Sequence, residues 1–316
     1  MATPDKAVHV AVAVIEDNDG NILIAKRPDH VHQGGYWEFP GGKVESDETI
    51  ETALTREIRE ELNLLITRSQ PLITIPHTYP DKTVFLDVHR VTEYSGKAIG
   101  NEGQLIKWVN KFSLRDFEFP KANAPVIDAV ELPDKYLITP DYNPEEHANY
   151  FQILENLLRA GIRLVQLRAK SLKGPQLTLL YEQVKSLTDK YGAILQFNTS
   201  LSYAQKLNIK NIHLTTSALM NTSELPDQHF ISASCHNQAE VLKACELGVK
   251  FIVIAPVNKT NTHPDAVAIG WDTFAKLCRL STVPIFALGG MSSSDIPVAI
   301  ENGGQGIAAI SALWAN

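Results

Sequence analysis

The chain of 316 residues, 44% of them hydrophobic and 21% charged, has the composition of a globular protein, and its length favours two domains over one large barrel. Its net charge of −7 argues against binding to nucleic acid or to a membrane surface, and we expect neither a signal peptide nor a membrane span, because apolar runs of the required length are missing. Three cysteines without C-x-x-C spacing exclude a disulfide framework and a zinc knuckle, and they favour a cytoplasmic location.

Residues 1–130 combine strand and turn patterns with one amphipathic helix, which indicates an α+β domain. Alternating valines at 8, 10, 12 and 14 predict the first strand, and residues 22–25 predict the strand that returns after a turn. Ser46 or Asp47 is expected to cap a helix that runs to Leu62, and further strands are predicted at 83–91 and 105–109.

A short segment with a proline, residues 131–135, is predicted to link this domain to a second one at 136–316. In the second part, apolar runs alternate with longer helical patterns, which is typical of parallel strands connected by helices in an α/β fold. Eight such runs predict a closed (β/α)8 or TIM barrel, and they lie at 136–139, 164–167, 194–197, 212–214, 230–233, 251–255, 285–288 and 307–310.

The negative charge is concentrated in the first part, where 14 lysines and arginines face 20 aspartates and glutamates. On the predicted helix, Glu57 and Glu61 are four residues apart and Glu60 lies beside them, so three carboxylates converge on one face. Like charges in this arrangement repel unless a cation neutralises them, and Mg²⁺ prefers such oxygen ligands. We therefore expect a cation site rather than a solvated acidic face, with Arg56 placed to pair with Glu60.

This acidic segment resembles the Nudix box, G-x5-E-x7-R-E-U-x-E-E-x-G-U, in which U is aliphatic. The second glycine of the box is replaced by Asn63, which also tolerates a left-handed helix C-cap. The resemblance implies an αβα sandwich with a mixed sheet. The matching positions are Gly42, Glu48, Arg56, Glu57, Ile58, Glu60, Glu61 and Leu64.

A narrower resemblance, over about residues 5–130, is to the MutT-type 8-oxo-dGTP diphosphatases. It is carried by the segments EFPGGK at 38–43, NEGQ at 101–104 and FPKANAPVI at 119–127. It implies a site for Mg²⁺, with Mn²⁺ as the alternative, formed by the Gly41 carbonyl and the carboxylates of Glu57, Glu60, Glu61 and Glu102, with Arg56 among the catalytic residues. It also implies a nucleotide pocket formed by Arg27, Phe39, Tyr79, Asp81 and Asn123.

The implied reaction is metal-assisted attack of water on a bridging diphosphate, with Glu61 and Glu102 both open as the group that deprotonates the water. Oxidation at C8 turns guanine N7 into a donor, and the Asn123 amide can be oriented to accept from it. Asn123 can equally be a helix N-cap, because Ala124 and Pro125 follow it. His32 and His77 are expected to be loop residues, and Trp37 is expected in the core.

The residues that follow the barrel strands resemble the thiamine-phosphate synthase family and its thiazole tautomerase relatives. The resemblance covers about residues 135–315 and is carried by the patterns QLR-x-K, SASCH, P-V-x-x-T-x-T, GGM and ISA. It implies a phosphate-bearing thiazole or pyrimidine ligand at the mouth of the barrel. The implied ligand-binding residues are Arg168, Lys170, Asn198, His236, Gly289, Gly290 and Ser311.

Departures from the synthase pattern remove its metal site. Thr199 stands where the synthase has a Mg²⁺-binding Asp, residues 215–218 lack the second acidic ligand, and His263 replaces a diphosphate-binding Lys. We therefore expect a barrel without synthase activity. The tautomerases need no metal and use a His after the fifth strand, where this chain has His236. A phosphate-binding module is the alternative, and Cys235 is expected to be a small strand residue.

The sequence thus predicts a Mg²⁺-dependent pyrophosphohydrolase that converts 8-oxo-dGTP to 8-oxo-dGMP and so protects DNA from mutation. A first alternative keeps the hydrolase but gives it a thiamine-related diphosphate as substrate. A second alternative makes the barrel a ligand-sensing or dimerisation module that regulates the hydrolase.

Overall fold

The computed structural model describes residues 8–29, 33–78, 83–260 and 266–314. The chain divides into two compact units, Met1–Glu131 and Leu132–Asn316. None of the helices in these described ranges is both long and apolar enough to cross a membrane.

The N-terminal unit is built on a mixed sheet between two helical layers. Strand β1 pairs in parallel with β6 and antiparallel with β4, and β5 completes the order β4-β1-β6-β5, while β3-β2-β7 forms a second, antiparallel sheet. The elements are β1 Val8–Ile15, β2 Asn21–Lys26, β3 Trp37–Glu38, β4 Gly41–Lys43, α1 Ile50–Leu62, β5 Leu65–Thr78, β6 Thr83–Ser95, β7 Ile106–Asn110 and α2 Ala124–Glu131. This arrangement confirms the predicted sandwich.

The alternation of side chains along β1 divides the core of this unit into two clusters. Ala11 and Ala13 face one side, where they belong to the same buried cluster as Leu54 of α1. Val12 and Val14 face the opposite side and cluster with the buried residues of α2. The sheet therefore holds α1 in a fixed position, with the carboxylates of α1 beside β4.

Helix α1 ends at Leu62 as predicted, but the predicted cap at Ser46 or Asp47 is wrong. The N-cap is Thr49, whose hydroxyl accepts from the backbone N–H of Thr52 at 3.2 Å. The preceding segment is a turn in which the Glu48 carboxylate accepts from the backbone of Glu45 at 3.1 Å, so the helix cannot begin earlier. At the other end, Asn63 adopts the left-handed conformation with φ of 56°. This agrees with the prediction that Asn63 can replace the second glycine of the box as a helix C-cap.

The C-terminal unit is a closed barrel of eight parallel strands, which confirms the predicted fold. Its strands are β8 Lys135–Ile138, β9 Leu164–Leu167, β10 Ile194–Asn198, β11 Asn211–Leu214, β12 Phe230–Cys235, β13 Phe251–Ile254, β14 Ile285–Leu288 and β15 Gly306–Ala309. The helices are α3 His147–Arg159, α4 Gly174–Lys190, α5 Leu201–Lys206, α6 Thr216–Met220, α7 Gln238–Leu247, α8 Gly270–Leu280, α9 Ile296–Glu301 and α10 Ser311–Trp314.

The interior of the barrel is partly polar. Tyr136, Phe251 and Phe286 pack edge to face or tilted inside it, with ring centroids 5.2 to 5.7 Å apart. Four other strands of the barrel each carry a buried polar side chain, namely Gln166 on β9, Gln196 on β10, His213 on β11 and Ser232 on β12. The strands lie where the apolar runs predict them, although four of these runs contain a buried polar side chain.

Candidate functional sites

Two glycines of β4 bring the backbone against the carboxylates of α1. A side chain on Gly42 would overlap the carboxylate of Glu57, so only glycine lets this carboxylate lie against the strand. The adjacent backbone N–H of Gly41 donates to Oε2 of Glu61 at 3.2 Å. The glycine pair thus gathers Glu57 and Glu61 at one place, as the spacing on the helix predicts.

Arg56 has a different main partner from the predicted one. Its Nε and Nη2 donate to the two oxygens of Glu48 at 2.8 and 2.9 Å, and its Nη1 donates to Glu57 at 2.8 Å. The predicted ion pair with Glu60 is also present, but it is longer, with Nη1 donating over 3.5 Å to a side chain that is 61% exposed. The forked guanidinium matches the bidentate carboxylate of Glu48, so this pairing prevails over the helical neighbour.

The ion pairs with Arg56 and the burial of α1 have opposite effects on neighbouring carboxyl groups. Hydrogen bonds from Arg56 lower the pKa of Glu48 to about 2. Burial raises the pKa of Glu61 to about 8, and the negative charges of Glu38, Glu57 and Glu102 add to this rise. The site therefore disfavours the charged form of Glu61, chiefly because the group is buried and secondly because the neighbouring carboxylates repel it.

The loop that carries Glu102 is bound to the last turn of α1. The backbone N–H of Asn101 donates to the carbonyl oxygen of Glu61 at 2.9 Å, and the side chain of Gln104 donates to the same oxygen at 3.0 Å. Asn101 also donates through its side chain to the carbonyl of Glu60 at 3.0 Å. These bonds satisfy helix carbonyls that lack an intrahelical partner, and they keep Glu102 close enough to act on the charge of Glu61.

The carboxylates of α1 and the loop suit a divalent cation by their chemistry. They are hard oxygen donors whose mutual repulsion a cation would relieve, and the carbonyl of Gly41 lies in the strand beside them. Within the described ranges, no three His, Cys, Asp or Glu side chains are grouped as ligands of one ion. The structure thus provides the charge and the donor types, while Glu60 and Glu102 stay on the exposed rim.

Aromatic and polar residues predicted for a nucleotide pocket lie around β3 and the start of α2. Phe39 is buried and stacks on Phe119 with ring centroids 5.2 Å apart, and Arg27 forms an ion pair with Glu38. Trp37 packs edge to face on Phe117 at 5.3 Å, consistent with the expected core position.

Asn123 closes a 3-10 turn, Lys121–Asn123, that leads directly into α2. Asn123 thus stands at the position that the N-cap alternative gives it, and both this role and base recognition stay predictions. Tyr79, Asp81 and His32 lie outside the described residues, as does the side chain of His77.

The predicted ligand-binding residues of the barrel all lie at or beyond the carboxyl ends of its strands, where barrel active sites form. Arg168 is half-buried after β9, Lys170 is exposed, and Ser311 opens α10. The Asn198 side chain donates to Gln166 at 3.0 Å. His263, which was predicted to replace a lysine, lies outside the described residues.

Gly289 and Gly290 follow β14 at the same rim of the barrel. Gly290 has a φ of 65°, and a side chain there would overlap the carbonyl of Lys259. The glycine is therefore required where these two segments approach each other closely.

His236 is exposed and is held by a residue that the sequence analysis missed. The carboxylate of Glu240 accepts from the backbone N–H of His236 at 2.6 Å and lies 3.1 Å from its Nδ1. The hydroxyl of Thr216 also lies 3.1 Å from Nδ1. The signal that could have identified Glu240 is its spacing of four residues from His236, because residues four apart meet on one face of a helix. Cys235 is buried in β12, as expected of a small strand residue.

The comparison with family models assigns both parts of the chain. The model described as thiamine monophosphate synthase matches residues 135–313, and the model described as NUDIX domain matches residues 11–129. The barrel is 34% identical over 184 residues to a putative thiamine-phosphate synthase 2 of Aquifex aeolicus, covering 58% of this chain and 98% of that protein.

Two relatives of the N-terminal domain carry different names. An 8-oxo-dGTP diphosphatase of Proteus vulgaris is 43% identical over 98 residues, covering 31% of this chain and 88% of the relative. A CTP pyrophosphohydrolase of Escherichia coli is 34% identical over 124 residues, covering 39% of this chain and 91% of the relative. The chain therefore belongs to the thiamine monophosphate synthase family through its barrel and to the MutT-type Nudix hydrolases, which act on phosphoric anhydrides, through its N-terminal domain.

Proposed function

We propose that the N-terminal domain hydrolyses 8-oxo-dGTP to 8-oxo-dGMP and pyrophosphate with the help of Mg²⁺. The observation that carries this proposal is the packing of Gly41 and Gly42 against Glu57 and Glu61. It gathers carboxyl groups beside the backbone of β4, which are the oxygen donors that a metal-bound triphosphate site requires. The loop that carries Glu102 adds a further carboxylate to the rim.

A bound Mg²⁺ would be held by Glu57, Glu60, Glu61 and Glu102 with the carbonyl of Gly41, and Mn²⁺ is the alternative ion. When bound, the ion would polarise the phosphate oxygens and make water a better nucleophile. Arg56 keeps Glu48 and Glu57 in place through its forked bonds, which makes it a positioning residue for the site.

The base would be bound between Phe39 and Asn123. The ring of Phe39 is buried and stacks on Phe119, so it would form the apolar floor of the pocket, and the half-buried amide of Asn123 offers both an acceptor and donors. Only the oxidised guanine has a hydrogen at N7 that such an amide oxygen can accept. A site that is completed only by this hydrogen bond would discriminate strongly between 8-oxo-dGTP and dGTP.

The test is pyrophosphate release by the full-length protein with 8-oxo-dGTP, dGTP and CTP, each below saturation. We expect a clear preference for 8-oxo-dGTP, and we expect Asn123→Ala to lower that preference by about ten-fold or more. Lys121→Ala, on the same turn but exposed, is the matched control and should keep the preference. An unchanged preference in Asn123→Ala would contradict the base-reading role. Faster turnover of CTP than of 8-oxo-dGTP by the wild-type protein would show that CTP, not 8-oxo-dGTP, is the substrate.

The barrel is proposed to bind a phosphate-bearing thiazole or pyrimidine without catalysing thiamine-phosphate synthesis. The supporting observation is that Thr215 and Thr216 are used within the fold where an acidic ligand would be needed. Thr215 caps α6, accepting from Ala218 at 3.3 Å, and Thr216 donates to the carbonyl of Ser234 at 2.9 Å. Neither side chain can supply a carboxylate for Mg²⁺.

Tautomerase-like proton transfer is the second candidate for the barrel, because exposed His236 contacts the carboxylate of Glu240. Incubation of the full-length protein with a thiazole phosphate and a pyrimidine diphosphate should yield no thiamine phosphate. Formation of that product would overturn the proposed loss of synthase activity. Release of phosphate from the pyrimidine diphosphate, with no pyrophosphate released from 8-oxo-dGTP, would instead favour a thiamine-related substrate for the hydrolase.

A further inference from the structure

A chain of hydrogen bonds runs through the barrel interior and ends at its mouth. It joins Gln196 on β10, His213 on β11, and Ser232 and Ser234 on β12. Gln196, His213 and Ser232 are at most 1% exposed, whereas Ser234 is partly exposed. Buried groups must pair with one another, so the positions of the hydrogens follow from the partners of each atom.

The carbonyl of Phe230 fixes the direction of the first bond. Nε2 of the Gln196 amide lies 3.2 Å from this carbonyl and donates to it. The flipped amide is excluded because it would place its oxygen against the carbonyl oxygen of Phe230, and both are acceptors. The amide oxygen of Gln196 therefore faces the hydroxyl of Ser232 at 3.0 Å. An amide oxygen cannot donate, so Ser232 donates its single hydrogen to Gln196. The hydroxyl of Tyr136 also hydrogen-bonds Ser232, and because it accepts from Gln166 at 2.9 Å, its own hydrogen is the one donated to Ser232.

The tautomer of His213 follows from the hydrogen bond that Ser232 donates to Gln196. Nδ1 of His213 lies 2.8 Å from the Ser232 hydroxyl, whose hydrogen is already used, so Nδ1 must carry the donated hydrogen. The ring is buried between two hydroxyl groups, and this burial lowers its pKa to about 3. A neutral imidazole holds one hydrogen, so Nε2 is an acceptor.

The last bond orients the hydroxyl at the mouth. Ser234 Oγ lies 2.8 Å from Nε2 of His213 and donates its hydrogen inward. We infer that Ser234 therefore meets a bound ligand only as an acceptor, so the ligand group beside it is an N–H or O–H donor rather than an ionised phosphate oxygen. Two acceptors cannot share a hydrogen bond. The part of this inference that concerns a ligand rests on the proposed binding role of the barrel.

The hydrogen positions can be measured without any ligand. In the full-length protein labelled with ¹⁵N-histidine, two-bond ¹H–¹⁵N spectra distinguish protonated from unprotonated ring nitrogens. We expect His213, assigned by its loss in His213→Gln, to be a single Nδ1–H tautomer that does not change between pH 6 and 8. An Nε2–H tautomer, or a ring that titrates in this range, would overturn the inference.

A variant tests whether Gln196 sets the direction of the bonds. Gln196→Met frees the hydrogen of Ser232, so the single tautomer should be lost, whereas Gln183→Met, on the exposed face of α4, should leave it unchanged. Retention of the single Nδ1–H tautomer in Gln196→Met would show that the amide does not control the ring.

Inorganic phosphate separates this inference from the proposed barrel function. If phosphate binds, Ser234→Ala should change the dissociation constant of sulfate, which has the same tetrahedral oxygens but no O–H at neutral pH, by less than about two-fold, and a weakening of about ten-fold would overturn the acceptor role. If phosphate binds neither to the wild type nor to Ser234→Ala while His213 shows the expected tautomer, the proposed phosphate site is wrong. The conclusion that Ser234 donates its hydrogen to His213 then still holds.

Discussion

The carboxylate cluster of α1 and the interior of the barrel differ in how their polar groups are satisfied. In the N-terminal domain, Glu57 and Glu61 gather on one helix face with a single guanidinium, from Arg56, bonded to Glu57. In the barrel, His213 is buried deeper than either carboxylate, yet its two nitrogens are satisfied by neutral hydroxyl groups.

This difference separates a site that depends on an added charge from one that is complete within the protein. Repulsion among the carboxylates is a local conflict that the fold retains, and such conflicts are expected where a ligand resolves them. The barrel network has no comparable conflict, because each hydrogen has one acceptor. The first site should therefore respond strongly to a change of charge, and the second to a change of hydrogen bonding.

The largest expected effect comes from removing one charge of the cluster. Glu57→Gln keeps the shape of the side chain but removes a carboxylate from the proposed ion site, and we expect it to lower kcat/KM for pyrophosphate release by about 1,000-fold. Glu93→Gln neutralises an exposed carboxylate paired with Arg68 and serves as the control. A loss of less than three-fold in Glu57→Gln would show that this carboxylate is not part of the catalytic site.

A smaller effect is expected on stability, through Glu61. Its pKa is about 8 in the folded protein against 4.5 ordinarily, so the folded state binds more protons than the unfolded state between these values. Stability of the N-terminal domain should then fall as pH rises from 4.5 to 8 in the presence of EDTA, by roughly 3 kcal/mol at about 1.4 kcal/mol per pKa unit after allowance for partial exposure.

Hydrogen exchange of the α1 amides, corrected for intrinsic rates, measures this free energy of unfolding. Glu61→Gln should be the more stable protein at pH 8 and should lose the slope. Glu60→Gln, whose side chain is mostly exposed, should keep it. Equal slopes in the wild type and Glu61→Gln would mean that the charge of Glu61 does not destabilise the folded domain.

The sequence predicts those parts of the structure that depend on neighbours along the chain. Helical spacing brings Glu57 and Glu61 together, and apolar runs locate the eight barrel strands to within two residues. The start of α1 was mispredicted because Ser46, Asp47 and Thr49 are all good caps, and the choice among them depends on the turn that holds Glu48 against Arg56.

Features that depend on register between strands were not predictable in this way. Gln196, His213 and Ser232 lie on three different strands, and each appears alone within an apolar run. His213 and Ser232 come into contact only because β11 and β12 pair in the register that places these two residues side by side. Similarly, Arg56 takes Glu48 from a loop in preference to the helical neighbour that its spacing suggests.

The third and smallest effect tests the neutrality of the barrel network. Because burial lowers the pKa of His213 to about 3 from 6.5, the folded state binds fewer protons than the unfolded state between these values. The barrel should therefore lose stability as pH falls below 6.5, by about 2 kcal/mol at pH 5, which is opposite in direction to the effect of Glu61.

Exchange of the β11 and β12 amides reports on the barrel separately from His89, a second buried histidine that lies in the N-terminal domain. His213→Gln cannot take up this proton, so its free energy of unfolding should vary less between pH 5 and 7 than that of the wild type. This difference in pH dependence is expected even where the variant is less stable than the wild type at every pH. His236→Gln alters an exposed ring and should retain the wild-type dependence. If His213→Gln keeps the full dependence, the acid sensitivity of the barrel arises elsewhere, and the contrast between the two regions does not rest on this histidine.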